Sequence, residues 1–410
     1  MKKNSYEAKV LHTSYEKPDA YRALSMPVYQ SVAYDFDSAE EMEEAFCGRS
    51  ADYAYSRISN PTVMHFEERV KEITGAMSVT ALNSGMAAIS NALMCVTHAG
   101  GNIVTSAHLF GNTWSFMVNT LGAYGVETRF CDLTNPEEVA RCIDRNTSVL
   151  FLEAITNPQL EVVDLKMITR IAHEAGVPVM VDSTIVPFTA FRASDYGVDI
   201  EVVSSTKYIS GGATSLGGLI LDYGNFDWSG SARLGEWSRQ HGKHSFTMKL
   251  RKEIHRNLGA YMTPQVASLQ TLGLETLALR YERQTATCLA LAMKLQTLAG
   301  IESVNYPGLR DNPFHEIGNA QFNGRPGAML TFDLPSREAC FRMMNGLKMI
   351  RRATNLFDNK SLAIHPASTI YGGFTDEQRR AMDISQKTIR LSVGLESIEE
   401  LYEDIRQALR

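Results

Sequence analysis

Residues 177–207 read VPVMVDSTIVPFTAFRASDYGVDIEVVSSTK, and the two apolar runs in that stretch, Val177–Val181 and Ile200–Val203, decide the fold. Both runs are short and rich in β-branched residues, the pattern of strands in a largely parallel sheet. Each ends in residues that can do chemistry: Asp182 after the first, Ser204-Ser205-Thr206-Lys207-Tyr208 after the second. The 25 residues from Asp182 to Lys207 suffice for one strand–helix–strand crossover, which puts the two on neighbouring strand ends. Open α/β sheets bind ligands outside the carboxyl ends of their strands, so both residues stand where a ligand would lie.

Outward from this centre the same alternation continues. Ser78–Leu82, Asn102–Thr105, Ser148–Leu152 and Leu216–Leu221 read as further strands, with helical patterns over Met86–Val96 and Leu165–Ala175. Strands alternating with helices predict an α/β domain with a mostly parallel sheet, assigned to residues 61–257. Residues 1–60, aromatic-rich and without a long periodic run, read as an N-terminal arm. The polar stretch Asn225–Asn257, with clustered Lys, Arg and His, reads either as a connecting segment or as a lid for anionic substrates. A long helix is expected from Pro264 to Gly300, its inner face carrying Leu274, Leu277, Tyr281, Cys288, Leu291 and Leu295. The remainder, with a strand at Ala328–Phe332 and a helix at Arg337–Gly346, completes a smaller α+β domain over residues 258–410.

Composition narrows the function classes. The 410 residues are 44% hydrophobic and 21% charged, a soluble globular mixture sufficient for two or three packed domains. A net charge of -6 supplies no global field for nucleic acid. No apolar run reaches membrane-spanning length, and the opening MKKNSYEAKV lacks the apolar core of a secretory signal. The six cysteines form no C-x-x-C pair, and no histidines are spaced as H-E-x-x-H. These features predict a cytoplasmic protein with free thiols and no metal or membrane partner.

Three local patterns carry chemistry. Asn83-Ser84-Gly85-Met86-Ala87-Ala88 follows a strand and opens a helix, so backbone N–H groups and the positive helix end face an anion such as phosphate. The competing reading is a plain N-cap at Ser84. Ser204 and Thr206 offer hydroxyls, and Lys207 becomes a Schiff-base lysine if burial or a nearby cation lowers its pKa; an exposed loop lysine is the alternative. Asp182 is either an N-cap or a buried anion. A buried carboxylate beside a buried amine is what pyridoxal phosphate requires: one keeps the pyridine nitrogen protonated, the other carries the aldehyde.

On these residues the chain resembles the Cys/Met-metabolism pyridoxal-phosphate enzymes, from Pro27-Val28-Tyr29-Gln30 to Arg390-Leu391-Ser392-Val393-Gly394-Leu395-Glu396. The resemblance implies a fold-type-I transferase architecture with pyridoxal 5'-phosphate as cofactor. Tyr55, Arg57, Asn60, Pro61 and Thr62 match a Y-x-R-x-x-N-P-T segment that reaches the cofactor phosphate of a neighbouring subunit. That implies a homo-oligomer with shared sites, a dimer or a tetramer. Ser84, Gly85 and Met86 match the phosphate-binding segment, Ser204 and Thr206 its hydroxyl donors, Lys207 the cofactor-bearing lysine and Asp182 the pyridine partner. Glu153, Asn157 and Pro158 match a segment beside ring and substrate. Arg390 matches the substrate-carboxylate clamp, and Ser361 falls in the loop that helps it.

Two positions depart from the family pattern. Phe110, in Leu109-Phe110-Gly111-Asn112-Thr113, stands where many relatives have tyrosine; it can stack on the ring but has no hydroxyl, which leaves Tyr55 as the substitute proton carrier. Gly212 replaces a histidine common after the lysine motif. Thr214-Ser215-Leu216-Gly217-Gly218 and the segment Lys360–Thr369 resemble the O-acetylhomoserine sulfhydrylase branch. The implied reaction is γ-replacement on O-acetyl-L-homoserine by a sulfur nucleophile, giving homocysteine or methionine and acetate. Methionine γ-lyase, the cystathionine enzymes and a non-catalytic cofactor-binding protein are the rival readings.

Overall fold

The computed structural model describes residues 5–13 and 19–410; residues 1–4 and 14–18 of the expected arm lie outside the described residues. Seven strands form the first sheet: β1 (Ser78–Leu82), β2 (Asn102–Thr105), β3 (Glu127–Phe130), β4 (Thr147–Glu153), β5 (Val179–Asp182), β6 (Ile200–Val203) and β7 (Gly218–Asp222). Their order is β1-β7-β6-β5-β4-β2-β3. The central pairs are parallel, and β7 alone runs antiparallel to both its neighbours.

Alternation along each strand feeds two cores. Val149 and Phe151 of β4 join Met180, Ile200 and Val202 on one face. Leu150 and Leu152 join Val179, Val181 and Val203 on the other. A sheet covered on both faces is why its inner strands read as short, mostly apolar runs.

Lys207 and Asp182 do follow neighbouring strands: β5 and β6 pair in parallel, with Asp182 opposite Val202. The connection between them holds only the short 3₁₀ turn Ala193–Tyr196, without an α-helix. β3 escaped the sequence reading because Glu127-Thr128-Arg129-Phe130 is a polar edge strand with no buried face to mark it.

Two expectations need correction. Residues 225–257 are neither a bare linker nor a loose lid. They fold into helices, including Gly235–His241 and Ser245–Lys249, whose Trp228, Leu234, Phe246 and Leu250 pack with Ile89, Ala92 and Leu93 of the helix Gly85–Val96. A few apolar residues among many charges suffice to seat the segment on the sheet. The expected long helix is two helices, Pro264–Glu275 and Leu277–Leu295, divided at Thr276. The predicted face survives the break: Leu274, Leu277, Tyr281, Cys288, Leu291 and Leu295 are all fully buried.

The second sheet contains β8 (Ser303–Asn305), β9 (Met329–Asp333), β10 (Arg351–Arg352), β11 (Leu362–Ile364) and β12 (Thr388–Ser392), in the order β10-β11-β12-β9-β8. β12 is central, with Arg390 opposite Thr331 on one side and Ile364 on the other. Two sheet neighbours fix the backbone beneath that arginine. Among the described residues no helix is long and apolar enough to cross a membrane.

Candidate active site

A cavity of about 520 Å³ opens at the carboxyl ends of β4, β5 and β6 and reaches Arg390 on β12. It brings together Ser84, Gly85, Met86, Phe110, Asn157, Asp182, Ser204, Thr206, Lys207 and Arg390, with Glu153 beside them. Residues 123 positions apart in sequence, such as Ser84 and Lys207, meet here because the sheet order places β7 between β1 and β6.

At one end lies a cradle for an anion. Ser84 caps the helix Gly85–Val96, its Oγ accepting the Ala87 N–H at 3.1 Å. The first-turn N–H groups of Gly85 and Met86 have no intrahelical acceptor and carry the positive end of the helix dipole. A Cβ on Gly85 would stand 2.6 Å from Ser204 Cβ, and one on Gly218 would stand 2.0 Å from the Ser84 carbonyl oxygen. Glycine at both positions lets the helix end close on Ser204. The backbone N–H of Ser204 donates to Thr184 Oγ1 at 2.8 Å, which ties together two residues of the cavity wall. The Thr206 hydroxyl is committed: its Oγ1 donates to the Gly217 carbonyl at 3.1 Å and accepts the Gly217 N–H at 3.0 Å.

Two carboxylates form the floor. Glu153 and Asp182 stand opposite one another on parallel β4 and β5. Glu153 accepts the Phe110 N–H at 2.6 Å, and Asp182 accepts the Thr184 N–H at 2.9 Å. Burial pushes the Glu153 carboxyl well above the usual range, and the Asp182 charge pushes it further. Burial also raises Asp182, against the opposing hydrogen bonds from Thr184. Like charges in adjacent register cannot both ionise cheaply, so a cation placed over the pair would favour their ionisation.

Lys207 and Arg390 supply that region's cations. Burial, aided by the Arg390 charge, lowers the Lys207 amine to about 8. Its Nζ donates to Asn355 Oδ1 at 2.9 Å. Arg390 is 2% exposed, and its desolvation lowers it to about 9. Its Nη1 donates to Asn157 Oδ1 at 3.0 Å, while Nη2 reaches the carbonyls of Thr354 and Asn355 at 3.5 and 3.4 Å. Nε is buried without a partner, and no carboxylate pairs with the guanidinium among the described residues. A buried guanidinium that lines the cavity without a carboxylate partner suits an anion.

Three sequence-derived site residues lie elsewhere. Ser361 is buried away from the cavity: its Oγ donates to Glu396 at 2.8 Å and accepts the Gly394 N–H at 2.8 Å, while its N–H donates to Glu396 at 2.7 Å. With its hydroxyl and N–H spent on a loop clasp, it has nothing to offer a substrate. Tyr55 and Arg57 do not line this chain's cavity either. The Arg57 guanidinium sits 5.3 Å from the Tyr55 ring centroid and donates to the Arg256 carbonyl at 2.7 Å. Asn60 caps the helix Pro61–Thr74, accepting from Thr62 and Val63 N–H groups, and Thr62 Oγ1 donates to the Pro27 carbonyl, so this part of the motif has a structural task. Conversely, Thr184, Thr354, Asn355 and Leu356 are site residues that sequence reading missed; no local pattern around them signals a site.

Lys207, a floor carboxylate and a glycine-walled anion cradle suit pyridoxal phosphate at every end, and the orphaned Arg390 Nε suits a carboxylate-bearing substrate. Fold and site define a pyridoxal-phosphate-dependent enzyme. The chain belongs to the Cys/Met metabolism PLP-dependent enzymes, which it matches over residues 7–410. It is 44% identical to a solved O-acetylhomoserine sulfhydrylase of the methionine biosynthetic pathway of Wolinella succinogenes, covering 86% of this chain and 98% of that one with a TM-score of 0.77. It is 35% identical to O-acetyl-L-homoserine sulfhydrylase 1 of Thermus thermophilus, over 98% of this chain and 99% of that protein. It is also 34% identical to an L-methionine gamma-lyase of Porphyromonas gingivalis, over 95% of this chain and 94% of that protein.

Proposed function

We propose that this chain catalyses γ-replacement on O-acetyl-L-homoserine: a sulfur nucleophile takes the place of acetate at Cγ, yielding homocysteine and acetate when the nucleophile is sulfide. The observation that carries the reading is one cavity holding both a depressed-pKa lysine and a buried arginine with an open donor. The 44% identity to a sulfhydrylase supports the choice of substrate.

Each residue has a task in this reading. Backbone N–H groups at Gly85 and Met86, with the hydroxyls of Ser204 and Thr206, bind the cofactor phosphate; Thr206 must release the Gly217 carbonyl to donate. Asp182 would hold the proton of the pyridine nitrogen, and Phe110 would cover the ring. Bound at Lys207, pyridoxal phosphate supplies an electron sink for the pair left when a substrate C–H bond breaks. Arg390 and Asn157 grip the substrate carboxylate and set which C–H bond faces the lysine. An amine titrating near 8 can then take the α-proton and return it at neutral pH. Glu153 accepts the Phe110 N–H and so holds Phe110 in place at the cavity wall.

Tyr55 and Arg57 complete the cavity of a second copy of the chain, which makes the working enzyme a homodimer or a pair of dimers. Cytoplasmic residence accords with the free cysteines. The division into an arm (1–60), a cofactor-binding domain (61–257) and a C-terminal domain (258–410) follows the two sheets.

The γ-lyase reading shares every cofactor contact and differs in leaving group and nucleophile access, so identity to a lyase at 34% keeps it as the second reading. Turnover of L-methionine alone, measured as 2-oxobutyrate release, is expected at under about one hundredth of the rate with O-acetylhomoserine and sulfide, a gap of ~2.7 kcal/mol. Comparable rates on the two substrates would transfer the assignment to a lyase.

A further inference from the structure

Asn355 is the protein group that holds the Lys207 amine, and its own setting is unusually fixed. Its Oδ1 accepts the Nζ hydrogen bond at 2.9 Å, while its Nδ2 donates to Asp358 Oδ2 at 3.3 Å. The Asp358 contact settles the amide orientation: reversed, the NH₂ would face an ammonium and the oxygen a carboxylate. Asp358 is itself 1% exposed and pinned, accepting from the Lys360 N–H at 3.0 Å and the Lys360 amine at 2.8 Å, while its carbonyl accepts from Gln284 at 2.8 Å.

The segment is tied to both functional cations. Phe357 adopts φ +53, a left-handed conformation costly for a bulky residue. Two contacts hold it there: its N–H donates to Ser392 Oγ at 2.6 Å, and its ring stacks on Tyr208 with centroids 4.0 Å apart and planes at 9°. Ser392 lies two residues beyond Arg390 on β12, and Tyr208 directly follows Lys207. The carbonyls of Thr354 and Asn355 meanwhile face Arg390 Nη2. Residues 354–358 thus strap the lysine to the arginine.

We propose that Asn355 is a positioning residue for Lys207: its carboxamide oxygen holds the ε-amine whenever that amine is not bonded to the cofactor, at a place fixed relative to the guanidinium that receives the substrate carboxylate. The inference rests on Lys207 as the cofactor-bearing lysine and is independent of which substrate the enzyme uses. The other charged groups of the cavity that holds the amine are Glu153 on β4, Asp182 on β5 and Arg390 on β12; Tyr371 acts on Glu153 and Arg390, and Asp358 bonds Asn355. Arg390 and burial disfavour the ammonium; the Asn355 oxygen favours it.

The test uses cofactor-free enzyme, wild type and the variants Asn355→Leu and Asn355→Asp. Pyridoxal phosphate is added across a pH series, and the rate of imine formation, in which the neutral amine condenses with the aldehyde and releases water, is followed by absorbance. Borohydride reduction and peptide mapping locate the adduct. The wild-type rate rises with pH as the amine loses its proton. In Asn355→Leu the midpoint of that rise is expected to fall by roughly half a pH unit or more, and in Asn355→Asp to rise by as much. In the loaded enzyme Asn355→Leu is expected to lower kcat about tenfold with KM within about twofold, and Asn355→Asp, which keeps an acceptor, to lower kcat less. Adduct at Lys207 in all three proteins with a common midpoint would overturn the proposal. Absence of adduct at Lys207 in the wild type would overturn the site assignment and this inference with it. Should Asn355→Leu fail to fold, the smaller Asn355→Ala, which also removes the acceptor, takes its place, and an unmoved midpoint overturns the proposal.

Discussion

Lys207→Ala is expected to lose covalent retention of pyridoxal phosphate and to lower turnover by about 10³–10⁴-fold, since a positioned proton-transfer group alone is worth ~10²–10⁴. The argument is geometric. Lys207 extends from the turn after β6 into the cavity, where burial lowers its amine to about 8. The Arg390 guanidinium already holds Asn157 Oδ1 and remains protonated at neutral pH, so it cannot take over as base. Steady-state rates and the visible spectrum of the purified variant check both effects; retention of full turnover would remove Lys207 from the mechanism. The same variant reports on shared sites. Arg57→Ala is expected to be weak by itself, because this chain's cavity has no other copy of that residue. In a mixed dimer of Lys207→Ala and Arg57→Ala both defects fall in one cavity and the other cavity is intact, so random pairing is expected to restore about a quarter of wild-type activity. No recovery on subunit exchange would mean that each chain completes its own site.

The second large effect concerns Arg390. Arg390→Lys is expected to lower kcat/KM by about 10–150-fold, the equivalent of one charge-assisted hydrogen bond of ~1.5–3 kcal/mol. Lysine keeps the charge but not the planar fork, and from β12 it cannot reach Asn157, the substrate and the strap carbonyls together. Arg390→Leu goes further and abolishes carboxylate binding, with an expected loss of about 10³-fold or more. Stability should move the other way. The guanidinium is fully desolvated with Nε unsatisfied and no carboxylate partner, so an apolar replacement of similar volume is expected to leave the melting temperature unchanged or raise it. Loss of kcat/KM together with a large fall in melting temperature would make Arg390 a structural residue.

What the sequence disclosed follows from how each feature is encoded. Strands β1, β2 and β6 were legible to the residue because a sheet covered on both faces keeps its inner strands short and mostly uncharged, Glu201 being the one charge in the three. Edge strand β3 is polar and has no such pattern. The helices within 225–257 were hidden because Trp228, Leu234, Phe246 and Leu250 are too sparse among charged neighbours to register as a period. Lys207, Asp182 and the Ser84–Met86 turn were legible because strand ends and a helix start place them. Ser361 and Asn355 were the reverse cases. Both lie in loops of the C-terminal part, where side-chain direction depends on partners distant in sequence. Glu396 draws Ser361 away from the cavity, whereas Asp358, with Phe357 clamped between Tyr208 and Ser392, turns Asn355 toward the Lys207 amine.

The most direct measurement of the central claim is product analysis. Purified enzyme loaded with pyridoxal phosphate is incubated with O-acetyl-L-homoserine, with and without sulfide, and homocysteine and 2-oxobutyrate are quantified. Homocysteine as the main product, dependent on sulfide, is the expected result. Mostly 2-oxobutyrate whether or not sulfide is present would contradict it.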